Sequence, residues 1–145
     1  MNLMICDGAL DTSRIYQLWE CEARERNCGA MSVFTGIVRK QDNITHLSFD
    51  VYEPLLNAWF EAWTAKAKQK DTILYMAHAR GDVALGQVSY MCALISRNRK
   101  SVLELYGDFI EDFKHNAPIW KYDIINGKRI YALQRSHEIK GARLV

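Results

Sequence analysis

The sequence predicts an α+β fold: a mixed, mainly antiparallel sheet with hairpins and about three packed helices in a single domain. Three observations carry this expectation. Runs of β-branched and aromatic residues alternate with runs of helical period along the chain. An Asn126-Gly127 pair between two strand-like runs is the strongest short hairpin signal, and hairpins are antiparallel. A length of 145 residues fits one domain, which at this size buries roughly two-thirds of its unfolded surface.

Asp11-Thr12-Ser13 opens the first helix, since short oxygen-bearing side chains can accept from the free N–H groups of a first turn. Ile15, Leu18, Trp19 and Ala23 then recur at helical spacing, the polar stretch 20–27 continues the helix, and Gly29 is placed to end it. Residues 30–39 read as a strand with Met31, Val33, Thr35, Ile37 and Arg39 on one side and Ser32, Phe34, Gly36 and Val38 on the other. Gly36 within it signals a bulge or a close approach by another chain segment. Gln41-Asp42-Asn43 reads as a turn to a second strand, 44–52, and the two are expected to pair as a hairpin.

Residues 53–70 form a second helix with Pro54 in its first turn. Leu55, Leu56, Trp59, Phe60, Trp63 and Ala67 make its apolar stripe. A third strand, 72–80, ends in a turn at Gly81-Asp82, and a fourth spans 87–97. Residues 100–114 form the third helix, with Val102, Leu105, Tyr106, Phe109 and Phe113 on its buried face. Asn98 or Ser101 caps it, and Pro118 stops it because the residue before a proline is pushed out of helical geometry. Strands at 119–125 and 128–133 flank Asn126-Gly127. The expected domain is 1–135, and the basic tail 136–145 is expected to be mobile or ordered by a partner.

Composition narrows the class. The hydrophobic fraction of 49% and charged fraction of 25% are ordinary globular values. No apolar run approaches ~18 residues, and the N-terminus lacks a basic segment followed by a long apolar one. No membrane association is therefore expected. Cys6, Cys21, Cys28 and Cys92 form no C-x-x-C pair, which reads as reduced thiols in a cytoplasmic protein. These cysteines and His46, His78, His115 and His137 show no ligand spacing, so neither metal nor cofactor is expected.

Net charge is +2 but unevenly spread: residues 1–113 hold 12 Lys/Arg against 15 Asp/Glu, and residues 114–145 hold 7 against 2. A basic end on a near-neutral protein points to a local anionic ligand or partner. Without a basic stripe across the strands, nucleic acid is not an expected partner.

The stretch 113–123, FKHNAPIWKYD, carries the candidate chemistry. Lys114 falls at a helix C-terminus, where the dipole favours a cation. Lys121 falls on the next strand, sharing a face with Ile119 and Asp123 while Trp120 and Tyr122 point the other way. A lysine on a partly apolar face can serve as nucleophile or proton carrier, although most lysines are simply exposed. Arg39 sits at a strand end, and Arg97 and Arg99 sit where a strand hands over to a helix. Such positions suit a phosphate or carboxylate, or equally a structural ion pair. There is no phosphate loop, nucleophile elbow or H-E-x-x-H motif.

Taken in order, Gly29-Ala30, Phe34-Thr35-Gly36-Ile37-Val38-Arg39, Tyr52-Glu53, Gly81 and Gly86, Ser96-Arg97-Asn98-Arg99, Phe113-Lys114 and Ala117-Pro118-Ile119-Trp120-Lys121 resemble the large, catalytic subunit of molybdopterin synthase over roughly residues 1–135. The resemblance implies a sulfurtransferase without a cofactor of its own. It would move sulfur from the C-terminal Gly-Gly thiocarboxylate of a small ubiquitin-like subunit to cyclic pyranopterin monophosphate, forming the dithiolene. It implies a heterotetramer built on a homodimer of large subunits. Lys114 and Lys121 match the family's two active-site lysines; Arg39, Arg97, Asn98 and Arg99 become candidates for binding the phosphate and tail carboxylate, and Phe34 for shaping the pocket. The sequence departs from the family pattern at Asn98, commonly a histidine, at Ala79, commonly an arginine, and at Asp123, often a glutamate. The alternative is a binding module with altered catalysis that recruits a ubiquitin-like or other acidic partner.

Overall fold

In the computed structural model, which describes residues 2–132, strands β1 (Leu3–Asp7), β2 (Ala30–Ile37), β3 (His46–Val51), β4 (Thr72–Ala84), β5 (Val88–Ser96), β6 (Ile119–Ile125) and β7 (Lys128–Tyr131) form one sheet. Helices α1 (Thr12–Glu25), α2 (Glu53–Lys68) and α3 (Arg99–Asn116) pack on it. The strand order is β2-β5-β4-β3-β6-β7, with β1 added parallel to β4 and the other pairings antiparallel. The α+β expectation holds. The tail 136–145 lies outside the described residues, and none of the described helices is long and apolar enough to cross a membrane.

Local chemistry explains the helix ends. Asp11 caps α1, its carboxylate accepting from the Arg14 amide at 3.3 Å. Asn98 caps α3 by accepting from the Lys100 amide at 3.2 Å. Ala117 leaves α3 in extended geometry, as Pro118 after it requires. At the end of α1 the left-handed position is taken by Asn27 (φ 53°) and not by Gly29; asparagine tolerates that region better than most residues. Gly29 instead sits under the Arg97 carbonyl, which a Cβ would meet at 3.1 Å. Asn126 (φ 50°) and Gly127 (φ 73°) make the expected turn between β6 and β7.

Strand pairing departs from the sequence expectation in three places. β2 and β3 do not pair with each other: β2 takes β5, with Phe34 opposite Cys92, and β3 lies between β4 and β6. The turn signal at 41–43 therefore joins strands that go to different partners. The third strand does not stop at Arg80. It continues through Gly81 (φ 86°) to Ala84, leaving β5 after His78 and meeting β3 at Gly81. β1 was not anticipated; its five residues are too short to show a period.

The sheet buries both faces. Ile15, Trp19 and Ala23 of α1 pack with Tyr75, Ala77, Ala93 and Ile95, while Leu18, expected on the same stripe, is 48% exposed. On the other face Leu56, Phe60 and Trp63 of α2 and Val102, Leu105 and Phe109 of α3 cover Leu74, Met76, Cys92 and Leu94. Asp112 fastens the two helices by accepting from the indole N–H groups of Trp59 (2.9 Å) and Trp63 (2.6 Å). Burial alone would raise the Asp112 carboxyl, but these bonds, that from Asn116 and the nearby charge of Lys66 hold it below its ordinary value.

Candidate functional site

Where α3 ends, a cavity of about 250 Å³ opens between its last turn and the sheet. Five strands and the helix supply the walls. β2 gives Phe34 and Gly36, β4 gives His78, β5 gives Ser89 and Tyr90, and α3 gives Phe113 and Lys114. β6 gives Ile119 and Lys121, and β3 gives Leu47 and Phe49. Alternation along β6 explains why Ile119 and Lys121 arrive together. Pro118 lets Lys114 and Lys121, on two different elements, border one space.

The lining is aromatic. Phe113 stacks on Tyr90 with ring centroids 3.8 Å apart and 13° between planes. His78 packs edge-on to Phe49 at 4.9 Å and tilted against Tyr90 and Phe113, each at 5.8 Å. Gly36 is needed there: a Cβ would lie 3.3 Å from the Tyr90 Cβ, and the β2 register shifts by a bulge just after it. Two cations at the rim of an aromatic cavity can hold an anion beside a flat heterocycle.

The structure brings Lys114, Lys121 and Phe34 to this cavity and leaves the other candidates outside it. Lys114 is exposed and Lys121 half-buried. Arg39, exposed beyond the end of β2, does not border the cavity, and neither do Arg97, Asn98 and Arg99 at the start of α3. A rise of 1.5 Å per residue puts Arg99 about 22 Å from Lys114 along α3. The expected single wall of lysines and arginines is therefore not formed within one chain, because α3 holds Arg99 and Lys114 at its opposite ends and Arg39 lies beyond the end of β2. Asn98 has a structural duty as the α3 cap. Arg80, one place later than the family pattern, pairs with Asp7 (3.1 Å) and Glu53 (3.4 Å).

His78 and Tyr90 were not among the sequence candidates. A signal existed for His78: it shares a strand face with Leu74 and Met76, so it is a polar residue on an otherwise buried face. It is 2% exposed. Burial pushes its imidazole down to about 4, partly opposed by the bond to the Ala79 carbonyl, so it is neutral near pH 7. That carbonyl can only accept, so the 2.7 Å bond fixes the proton on Nδ1. Burial likewise raises the Tyr90 hydroxyl and pushes the neighbouring Cys92 thiol up to about 11. Neither is an ionised nucleophile at neutral pH.

A model of the MoaE protein family matches residues 5–116. The molybdopterin synthase catalytic subunit of Helicobacter pylori strain 26695 is 57% identical over 143 residues, 99% of each chain. That of H. pylori strain J99 is 45% identical, again across 99% of each chain. Among solved structures, the protein–protein complex of subunits 1 and 2 of molybdopterin-converting factor from H. pylori 26695 matches with TM-score 0.94 and 57% identity. The match covers 98% of this chain and 97% of that one. Molybdopterin synthase from Staphylococcus aureus matches with TM-score 0.75 at 23% identity, over 90% of this chain and 96% of that one, a likeness of fold.

Proposed function

The chain belongs to the MoaE protein family, and on that premise we propose that it is the catalytic subunit of a molybdopterin synthase. It transfers sulfur from the C-terminal thiocarboxylate of a small ubiquitin-like subunit to cyclic pyranopterin monophosphate, making the molybdopterin dithiolene. The assembly is a heterotetramer around a homodimer of large subunits. We place this chemistry in the cytoplasm, where the four free thiols stay reduced.

The observation that supports this reading best is the aromatic cavity with Lys114 and Lys121 at one mouth. Its volume of about 250 Å³ suits a small fused-ring heterocycle better than a folded partner, so only an extended tail from the small subunit would share it. Once the sulfur is bonded to the pterin precursor, a nucleophile such as water adds to the acyl carbon and puts negative charge on the acyl oxygen, and collapse of that adduct breaks the acyl–sulfur bond and leaves the sulfur on the pterin. A pre-positioned ammonium group stabilises that charge more in a partly dry cavity than in water. Lys114 and Lys121 take this role, and Phe34 closes one side of the cavity. Reconstitution with the pterin precursor and thiocarboxylated small subunit tests the proposal. The expected result is a fluorescent pterin after oxidation; tight binding of the small subunit with no product would favour the binding-module alternative.

Arg39, Arg97, Asn98 and Arg99 remain the proposed anion-binding group. The length of α3 separates Arg97–Arg99 from their own cavity, so within a homodimer they serve the cavity of a second large subunit. Co-assembling a Lys114→Ala chain with an Arg97→Ala/Arg99→Ala chain should then regain activity that neither variant shows alone. Mixed dimers with no more activity than the separate variants would remove the arginines from the site.

A further inference from the structure

We infer that His78, with its proton fixed on Nδ1, is a neutral hydrogen-bond acceptor on the cavity floor that reads an N–H donor on the substrate's pterin ring. This rests on the pterin reading above and adds a specificity-determining residue to it.

Four observations support the inference. His78 borders the same cavity as Lys114 and Lys121. Its Nδ1 is occupied by the Ala79 carbonyl, so the lone pair is on Nε2. No described residue bonds Nε2. The open space that the buried ring borders is the cavity. Finally, Phe49, Tyr90 and Phe113 hold the ring from several sides, so its lone pair is aimed before any ligand arrives.

The magnitudes exclude other roles. With a pKa near 4, the ring is a poor base for a lysine ammonium, whose ordinary value is about 10. A neutral imidazole also gives nothing to an anionic phosphate. Burial lowers His78, and the backbone bond to Ala79 opposes it. What remains is an uncharged donor. The amino and ring N–H groups of a pterin are such donors, and a planar ring would lie against the aromatic walls. The cavity then divides its work: the rim lysines take charge, and the floor reads the heterocycle.

The test compares His78→Phe, which keeps an aromatic ring but removes the acceptor, with His78→Gln, which keeps an acceptor. Binding of cyclic pyranopterin monophosphate and of inorganic phosphate is measured on the full chain. The expected result is pterin binding weakened about tenfold or more in His78→Phe, largely restored in His78→Gln, with phosphate binding unchanged. The ¹⁵N signal of His78 Nε2 should also shift as the wild-type protein is saturated with pterin, a readout that packing alone would not give and that does not depend on a variant folding. Undiminished pterin binding by His78→Phe, or an unmoved Nε2 signal at saturation, overturns the inference and leaves the proposed function standing. Wild-type protein that binds no pterin overturns both.

Discussion

Replacing Lys114 or Lys121 with alanine is expected to lower product formation by about two to three orders of magnitude, the usual effect of removing one pre-positioned group that stabilises developing charge. The fold should survive. Lys114 is exposed, and surface substitutions usually shift stability by about 0.5 kcal/mol or less. Lys121 is half-buried, so its variant should lose somewhat more stability while remaining folded. Reconstituted turnover with thiocarboxylated partner, alongside a urea unfolding curve for each variant, separates the two effects. Lysine-to-arginine variants then distinguish the chemistry. If the ammonium acts by charge alone, arginine should keep part of the rate. If it captures the acyl group as a nucleophile, arginine should be as inactive as alanine. Full activity from both alanine variants would exclude the lysines from the mechanism.

The second large effect is on stability, and it comes from His78. Its imidazole titrates at about 4 in the folded chain and near 6.5 when unfolded. Between those values the unfolded state binds more protons than the folded one. Stability therefore rises with pH in this window and falls as pH drops from 6.5 toward 4, below which both states are protonated and this loss is complete. For a fully buried ring the difference amounts to roughly 3 kcal/mol. Asp50 and Asp112 are also held below their ordinary values, Asp50 by its bidentate bond to Arg129. Their contribution is lost at lower pH, as the acid range of carboxylates is reached. Urea unfolding at pH 7 and pH 4.5 should show wild type losing about 2 kcal/mol or more beyond the loss in His78→Phe. Parallel losses in the two proteins would mean that the buried ring does not carry the acid sensitivity.

The chain's local chemistry was legible in its residues, and its partnerships were not. Asp11 and Asn98 announce helix starts, Pro118 announces an end, and Asn126-Gly127 announces a hairpin, because each acts through bonds within about four residues. The apolar stripes of α2 and α3 follow from helical period, and alternation along β6 places Lys121 beside Ile119 without knowledge of any neighbour. The lysine pair was visible for the same reason: Lys114 and Lys121 are separated by one proline-directed turn.

What lies far apart in sequence had to be decided by packing. Gln41-Asp42-Asn43 marks a turn but says nothing about partners; β2 goes to β5 and β3 to β4 and β6, in a sheet with a hydrophobic cluster on each face. β4 runs past Gly81 because β3 and β5 take different parts of it, which no local signal encodes. Arg97–Arg99 and Lys114 were expected at one site, yet the length of α3 holds them apart. His78, a polar residue on a buried strand face, becomes a neutral part of the cavity lining only when Phe49, Tyr90 and Phe113 close around it. A cavity is a property of surfaces brought together from distant segments, so the residues at its rim could be read from the sequence while its floor required the fold.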